Sequence, residues 1–256
     1  MSKLPSQFTF VDISDYGRPI ARTIARFFVS TFITPVHITC MFIVAGIIAV
    51  IAMYHGYFLV ALFFLLLKSI LDAADGELAR LKKTPSYTGR YFDSIADILL
   101  NAALFYTLYL ITDSSLLMAS IAFACLQLQG TLYNYYYVIL RNKVAGDTTS
   151  RIFETKTPTA LPGEKQPTVT FLFFVYRLLY GVFDAVIYIL DRNAYEGRIL
   201  PNWFMSCLSV FGLGFQLLLI GLLLVLGLKD YIIPAFIALC VLVFLFIGIR
   251  KLYYSD

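Results

Sequence analysis

The sequence predicts an all-α membrane protein: six transmembrane helices in one bundle, an interfacial amphipathic N-terminal helix ahead of them, and a re-entrant or interfacial insertion between the fourth and fifth spans. Three observations predict it. Of 256 residues, 60% are hydrophobic and only 14% charged, and the mean hydropathy is +0.80, far from the composition of soluble domains. The apolar residues fall in runs of about 20, the length that a hydrocarbon core of about 30 Å requires. No polar linker long enough to separate two folded units interrupts them, so residues 1–256 read as a single membrane domain.

The net charge of +4 comes from basic residues spread around the ends of the apolar runs. That spread excludes a nucleic-acid patch and reads as a topology signal. Cys40, Cys125, Cys207 and Cys240 lie within apolar runs and show no C-x2-C spacing, so neither a zinc site nor a disulfide framework is expected. The opening stretch MSKLPSQFTFVDISDYGRP lacks the basic-then-apolar layout of a cleavable signal, and insertion is expected to rest on the spans themselves.

From Asp15 to Phe28 the segment DYGRPIARTIARFF carries Arg18, Arg22 and Arg26 four apart, with Ile20, Ile24, Phe27 and Phe28 on the rest of the surface. This predicts an amphipathic helix over 15–28 lying at the interface, basic side toward anionic headgroups. The first span runs from Ile33 to Tyr54, with Thr34 as a cap and Pro35 in the first turn. The second covers 56–80, the third 90–111 and the fourth 115–140. Lys68 lies one turn before Asp72 and is expected to pair with it or to steady the bundle.

Residues 145–201 form an insertion: a polar part, then TVTFLFFVYRLLYGVFDAVIYIL, long enough to span but interrupted by Arg177 and Asp184. If it does not cross, every Lys and Arg except Lys68 and Lys229 falls on the cytoplasmic side or its edge. If it crosses, Arg192, Arg198, Arg250 and Lys251 invert. The charge distribution favours a re-entrant or interfacial element, with a seventh span as the alternative. The last spans run 203–226 and 231–249, joined through GLKD, which places both ends in the cytoplasm.

Between Asp72 and Asp97 the chain sets four carboxylates at the edge of apolar sequence. The fixed residues read D-x2-D-G-x2-A-R-x8-G-x3-D-x3-D: Asp72, Asp75, Gly76, Ala79, Arg80, Gly89, Asp93 and Asp97. Asp72, Asp75, Gly76 and Ala79 share one helix face, and Asp93 and Asp97 share a face of the next helix. A helix-turn-helix therefore aims all four acids at one pocket. Each carboxylate at membrane depth costs roughly 2.5 to 3.5 kcal/mol, and neighbouring anions repel one another. A divalent cation held by Asp72, Asp75, Asp93 and Asp97 removes both problems, and all-oxygen ligands point to a hard ion such as Mg2+, Mn2+ or Ca2+. The same ion can hold a diphosphate. Gly76 and Ala79 leave room for a flat nucleotide near the backbone, and Arg80 offers a fork for phosphate oxygens.

This pattern resembles the signature of the CDP-alcohol phosphotransferase (CDP-alcohol phosphatidyltransferase) family at every fixed position, tightly here and more loosely elsewhere. The resemblance implies an integral membrane enzyme of phospholipid synthesis. Such an enzyme moves a phosphatidyl or phosphoalcohol group from a CDP-linked donor to a hydroxyl and releases CMP. It would use Mg2+ or Mn2+, one ion or two, among membrane lipids and as a homodimer.

By the same resemblance Asp97 is the catalytic general base. Val36, His37, Ile38 and Thr39, in ITPVHIT, would contact the CDP donor together with Gly76, Ala79, Arg80, Ser86 and Gly89. Val36 departs from the family, which has Asn or Asp there, so its contact would be through the backbone. His37 alone at a membrane edge also fits an interfacial residue. The end of the fourth span, GTLYNYYYVILRNKVAG, resembles the family's R-x-E ending, with Arg141 in place and Lys143 where the acid is common. With Arg151 these would form a basic acceptor site for a phosphorylated alcohol, although a cytoplasmic positive rim accounts for the same residues.

The expected donor is CDP-diacylglycerol, and the expected acceptor a polar alcohol or alcohol phosphate. CDP-choline or CDP-ethanolamine acting on diacylglycerol is the alternative within the enzyme class. A membrane cation transporter using the acid cluster is the alternative of another class, but it has no need of the G-x2-A-R and G-x3-D-x3-D framing and no inverted repeat is visible. The expected location is a bacterial inner membrane, with the active site at the cytoplasmic face.

Overall fold

The structure, a computed structural model, describes residues 4–144 and 156–254. Among the described residues every regular element is helical: α1 (Arg18–Phe28), α2 (Pro35–Tyr54), α3 (Phe58–Lys82), α4 (Tyr87–Ile111), α5 (Leu116–Lys143), α6 (Gln166–Leu190), α7 (Asn202–Leu208), α8 (Leu213–Val225), α9 (Ile232–Leu239) and α10 (Val241–Tyr253).

By length and composition, α2, α4, α5, α6 and the stretch Lys229–Tyr253 can each cross a membrane, and α7 with α8 makes a sixth candidate if the pair, bent by 50°, counts as one span. The all-helical membrane bundle is as expected, and the insertion adds α6 to the helices long and apolar enough to cross. Helix α3, 25 residues long, carries Lys68, Asp72, Asp75, Glu77, Arg80 and Lys82 along its length. Its charges are nevertheless turned inward, with Lys68, Asp75 and Glu77 all buried.

Small residues let the helices around α3 approach closely. Ala45, Ala49 and Ala52 of α2 pack in the same core clusters as Ala61, Leu65, Leu71, Ala74 and Leu78 of α3. Gly46 abuts α4, where an added methyl would stand 2.6 Å from Leu100, and Gly221 of α8 abuts Leu62 of α3 at 2.5 Å in the same sense. The start of α2 is fixed as its sequence predicts. The Thr34 side chain accepts from the His37 backbone N–H, and His37 Nδ1 accepts from the Thr34 N–H at 3.0 Å, a reciprocal cap with Pro35 in the first turn.

The N-terminal segment makes contacts that its amphipathic pattern did not predict. Helix α1 forms, with Ala21 and Ala25 buried against α3, and its arginines divide: Arg18 and Arg22 reach a carboxylate of α3, while Arg26 is exposed. Arg18 Nη1 donates to Glu77 Oε1 at 2.7 Å, and Arg22 Nε lies 3.6 Å from the same oxygen. Ahead of α1, the turn Ile13–Asp15 wedges into the bend between α7 and α8. Ile13 N–H donates to Ser209 Oγ at 2.9 Å, and at Gly214 a Cβ would stand 2.0 Å from the Ser14 carbonyl oxygen.

Helix α6 is uninterrupted over 25 residues. Just before it, Glu164 Oε1 accepts from Ser86 Oγ at 2.8 Å and from the Thr88 N–H at 2.7 Å, beside the start of α4. Just after it, Asp191 meets Tyr136 of α5 and Arg250 of α10. Ser86, Lys143 and Arg250 mark the bundle end at which α4 starts and α5 and α10 finish, so both ends of α6 are tied to that end. Its outer face exposes Phe171, Phe174, Leu178, Val182 and Ile189.

Candidate functional site

The acid site is built by the second half of α3 and the first half of α4. Between them, Lys83 adopts a left-handed φ of 54° that closes α3, and the Thr84 N–H returns to the Ala79 carbonyl at 3.0 Å. Ser86 then caps α4, its Oγ accepting from the Gly89 N–H at 2.8 Å. Lys82 Nζ donates to the carbonyls of Thr31 and Ile33, each at 2.7 Å, and pins this turn to the start of α2.

Asp72, Asp75 and Asp93 each bring one carboxylate oxygen into a group lying within 4.8 Å of one another. Thr39 Oγ1 donates to Asp75 Oδ2 at 2.7 Å and fixes that carboxylate. Asp93 Oδ1 is buried without a hydrogen-bond partner. Three converging carboxylates, one with an orphaned buried oxygen, form an arrangement that Thr39 and the nearby Lys68 compensate only in part. The donor set is all oxygen and suits a hard divalent cation. By this test the residues present fit such an ion.

Asp97 stands outside that group. It is in a salt bridge with Lys68 Nζ, whose side chain is 2% exposed and lies over the Phe42 ring, 5.0 Å from its centroid. Thus three of the four expected metal ligands converge, and the fourth is held by a lysine. That lysine pairs with Asp97 rather than with Asp72, its neighbour on the same helix.

Beside the acids lies a second cluster that the sequence reading passed over. Glu77, 2% exposed, gathers Arg18, Arg22 and Arg80, with Arg80 Nη2 at 3.3 Å from Oε1. Burial works against the charge of Arg18, but hydrogen bonds and attraction from Asp15 and Glu77 outweigh it and raise its pKa. Arg80 Nε is buried without a partner. The Arg80 guanidinium lies over Gly76, its nitrogens 3.6 and 3.7 Å from where a Cβ would stand, an ordinary contact distance. The signal for this cluster was present in the sequence as Glu77 three residues before Arg80 and two arginines four apart in α1.

The other expected donor residues divide. Thr39 joins the site through Asp75. Val36 is exposed and lies near Gly89, whose added Cβ would come within 3.8 Å of the Val36 side chain. His37 is engaged in the cap of α2, and Ile38, 0% exposed, belongs to the core between α1, α2 and α3. Ala79 lends its carbonyl to the closing turn of α3, while Ser86 is shared between Gly89 and Glu164.

Of the expected acceptor residues, Arg141 is buried with its guanidinium 5.2 Å from the centre of the Tyr137 ring. Lys143 Nζ donates to the Gly197 carbonyl, and Arg151 lies outside the described residues. From α6, Tyr180 donates to the Ser94 carbonyl at 3.0 Å and stacks on Tyr176 at 5.1 Å, which in turn leans on Tyr91 at 5.3 Å. The insertion thereby supplies one wall of the acid site. The Glu164 carboxyl before it, partly opposed by burial, is held below its ordinary pKa by hydrogen bonds from Thr88, Ser86 and Leu161.

No curated protein matches the chain. A family model described as CDP-alcohol phosphatidyltransferase matches residues 32–213, which include every described residue of the acid site.

Proposed function

Because the chain belongs to the CDP-alcohol phosphatidyltransferase family, whose members need divalent metal ions, we propose that it transfers a phosphatidyl group from CDP-diacylglycerol to the hydroxyl of a polar alcohol or alcohol phosphate, releasing CMP. The observation that carries the reading is the convergence of Asp72, Asp75 and Asp93 within 4.8 Å, next to the Arg80 guanidinium lying over Gly76. Mg2+ or Mn2+ held by those three carboxylates would bind diphosphate oxygens and neutralise charge developing on the leaving phosphate.

The chain's own groups do the rest. The acceptor oxygen attacks the phosphorus that carries the lipid, the bond from that phosphorus to the oxygen of CMP breaks, and the acceptor's proton passes to Asp97. Arg80, steadied by Glu77, presents its fork to the diphosphate, and Thr39 keeps Asp75 in a fixed rotamer. Arg141, at the end of α5, is the residue we assign to a phosphorylated acceptor.

The end of the bundle that holds the site carries Arg80, Lys82, Lys83, Arg90, Arg141, Lys143, Arg250 and Lys251, against Lys229 at the opposite turns. That asymmetry supports a cytoplasmic active site, and we place the protein in a bacterial inner membrane. Both ends of α6 meet the basic end of the bundle, which supports a helix lying along the boundary rather than crossing. CMP release by purified protein given CDP-diacylglycerol, CDP-choline and CDP-ethanolamine in turn, each with its acceptors, tests the donor. Release with CDP-diacylglycerol alone is expected, and release only with the soluble CDP-alcohols overturns the assignment.

A further inference from the structure

We propose that Lys68 is a positioning residue that withholds Asp97 from the metal-binding acids and keeps it as the carboxylate that takes the acceptor's proton. The inference rests on reading the acid cluster as a divalent-cation site. By sequence spacing alone the four acids are equivalent candidates, two from each helix. The structure separates them: Asp72, Asp75 and Asp93 offer oxygens to a common point, while Asp97 gives one oxygen to the Lys68 ammonium.

The lysine has little freedom to do otherwise. Its side chain is 2% exposed, Phe42 of α2 lies against the ammonium, and its charge is within electrostatic reach of Asp72, Asp93 and, from the N-terminal segment, Tyr16. An ammonium anchored there does two things. It repels a second cation from Asp97, and it fixes the carboxylate rotamer by a charge-assisted hydrogen bond. A general base must be both unliganded and aimed; Lys68 supplies both conditions. If Lys68 served only to join α3 to α4, a substitution preserving the fold would change metal binding through the lost charge alone, equally with or without the Asp97 carboxylate.

The test is Mn2+ binding to detergent-purified, chelator-stripped protein, read from the electron paramagnetic resonance of free Mn2+, together with CMP-release kinetics. Lys68→Met is expected to bind Mn2+ at least about tenfold more tightly, or to take up an additional ion, because a nearby positive charge is lost and a fourth carboxylate freed. Its kcat is expected to fall by about a hundredfold while the KM for the CDP donor moves little. In Lys68→Met with Asp97→Asn the gain in Mn2+ binding disappears.

Lys68→Gln, which keeps a hydrogen bond but not the charge, is read for the same shift should the methionine variant not fold. Wild-type Mn2+ affinity and stoichiometry in the folded Lys68 variants overturns the inference while leaving the cation site standing. An equal gain in the single and double variants also overturns it. Wild-type protein that binds no Mn2+ sinks the cation reading and this inference with it.

Discussion

Asp93, half-buried with one carboxylate oxygen out of solvent, and Asp191, fully buried, are aspartates of the same bundle that the fold treats in opposite ways. Asp191, 0% exposed, is enclosed by partners: Arg250 Nε donates to it at 2.8 Å with a second guanidinium bond beside that one, and the Tyr136 hydroxyl donates at 2.5 Å. Its carbonyl accepts from Tyr135 at 3.1 Å. Asp93 faces Asp72 and Asp75, and its Oδ1 has no partner. The first is a joint that locks the segment after α6 to α5 and α10. The second is a site left incomplete by the protein, which is the arrangement expected where an external charge completes it.

Substitution separates the two roles. The largest effect is expected at the site: Asp93→Asn should reduce CMP release at least about a hundredfold, with thermal stability unchanged or raised because like-charge repulsion is relieved. Normal turnover in that variant would break the contrast. Removing one partner of the joint should do the reverse. Arg250→Met strands a buried carboxylate and should cost roughly 3 to 5 kcal/mol of stability, seen as a lowered melting temperature in detergent, while the folded fraction keeps its kcat. Adding Asp191→Leu to Arg250→Met should recover much of that loss.

Glu77 belongs to both worlds, since it anchors α1 and orients Arg80. Glu77→Gln should raise the donor KM by about tenfold through loss of charge-assisted bonds and should expose α1 to proteolysis. Unchanged KM would assign Glu77 to anchoring alone.

The smallest effect concerns the lacing of α4 to the start of α6. The Glu164 carboxyl has its pKa lowered from 4.5 in the folded protein. Its contribution is therefore fully present above the ordinary value and is lost as pH falls through the lower folded value. Glu164→Gln should lower the melting temperature slightly at neutral pH and leave it unchanged at acid pH, flattening this part of the profile, and a wild-type profile in the variant would remove Glu164 from the lacing.

The acid site was legible to the degree that its information is local. The spacing of Asp72, Asp75 and Asp93 on two consecutive helices, the Thr34 cap and the bounds of α2 and α5 follow from neighbours in sequence. What escaped depends on packing between distant elements. Lys68 and Asp72 share a helix, but a long flexible side chain takes the partner presented across the helix interface, and that is Asp97. The amphipathic pattern of Arg18 and Arg22 gives a polar face without saying whether lipid headgroups or Glu77 will satisfy it. Ile38 lies next to Thr39 in the same motif, yet helical rotation sends one into the core and the other to Asp75. The ends of α6 are fixed by Ser86, Tyr136 and Arg250, dozens of residues away.

The central claim is that Asp72, Asp75 and Asp93 together hold the divalent ion on which transfer depends. It is met most directly by titrating Mn2+ into stripped wild-type and Asp93→Asn protein while CMP release is followed in the same samples. Wild-type activity should vanish on stripping and return over the Mn2+ range in which the site fills, with neither binding nor recovery in the variant. Full turnover by the stripped wild type, or wild-type Mn2+ binding in Asp93→Asn, would contradict the account.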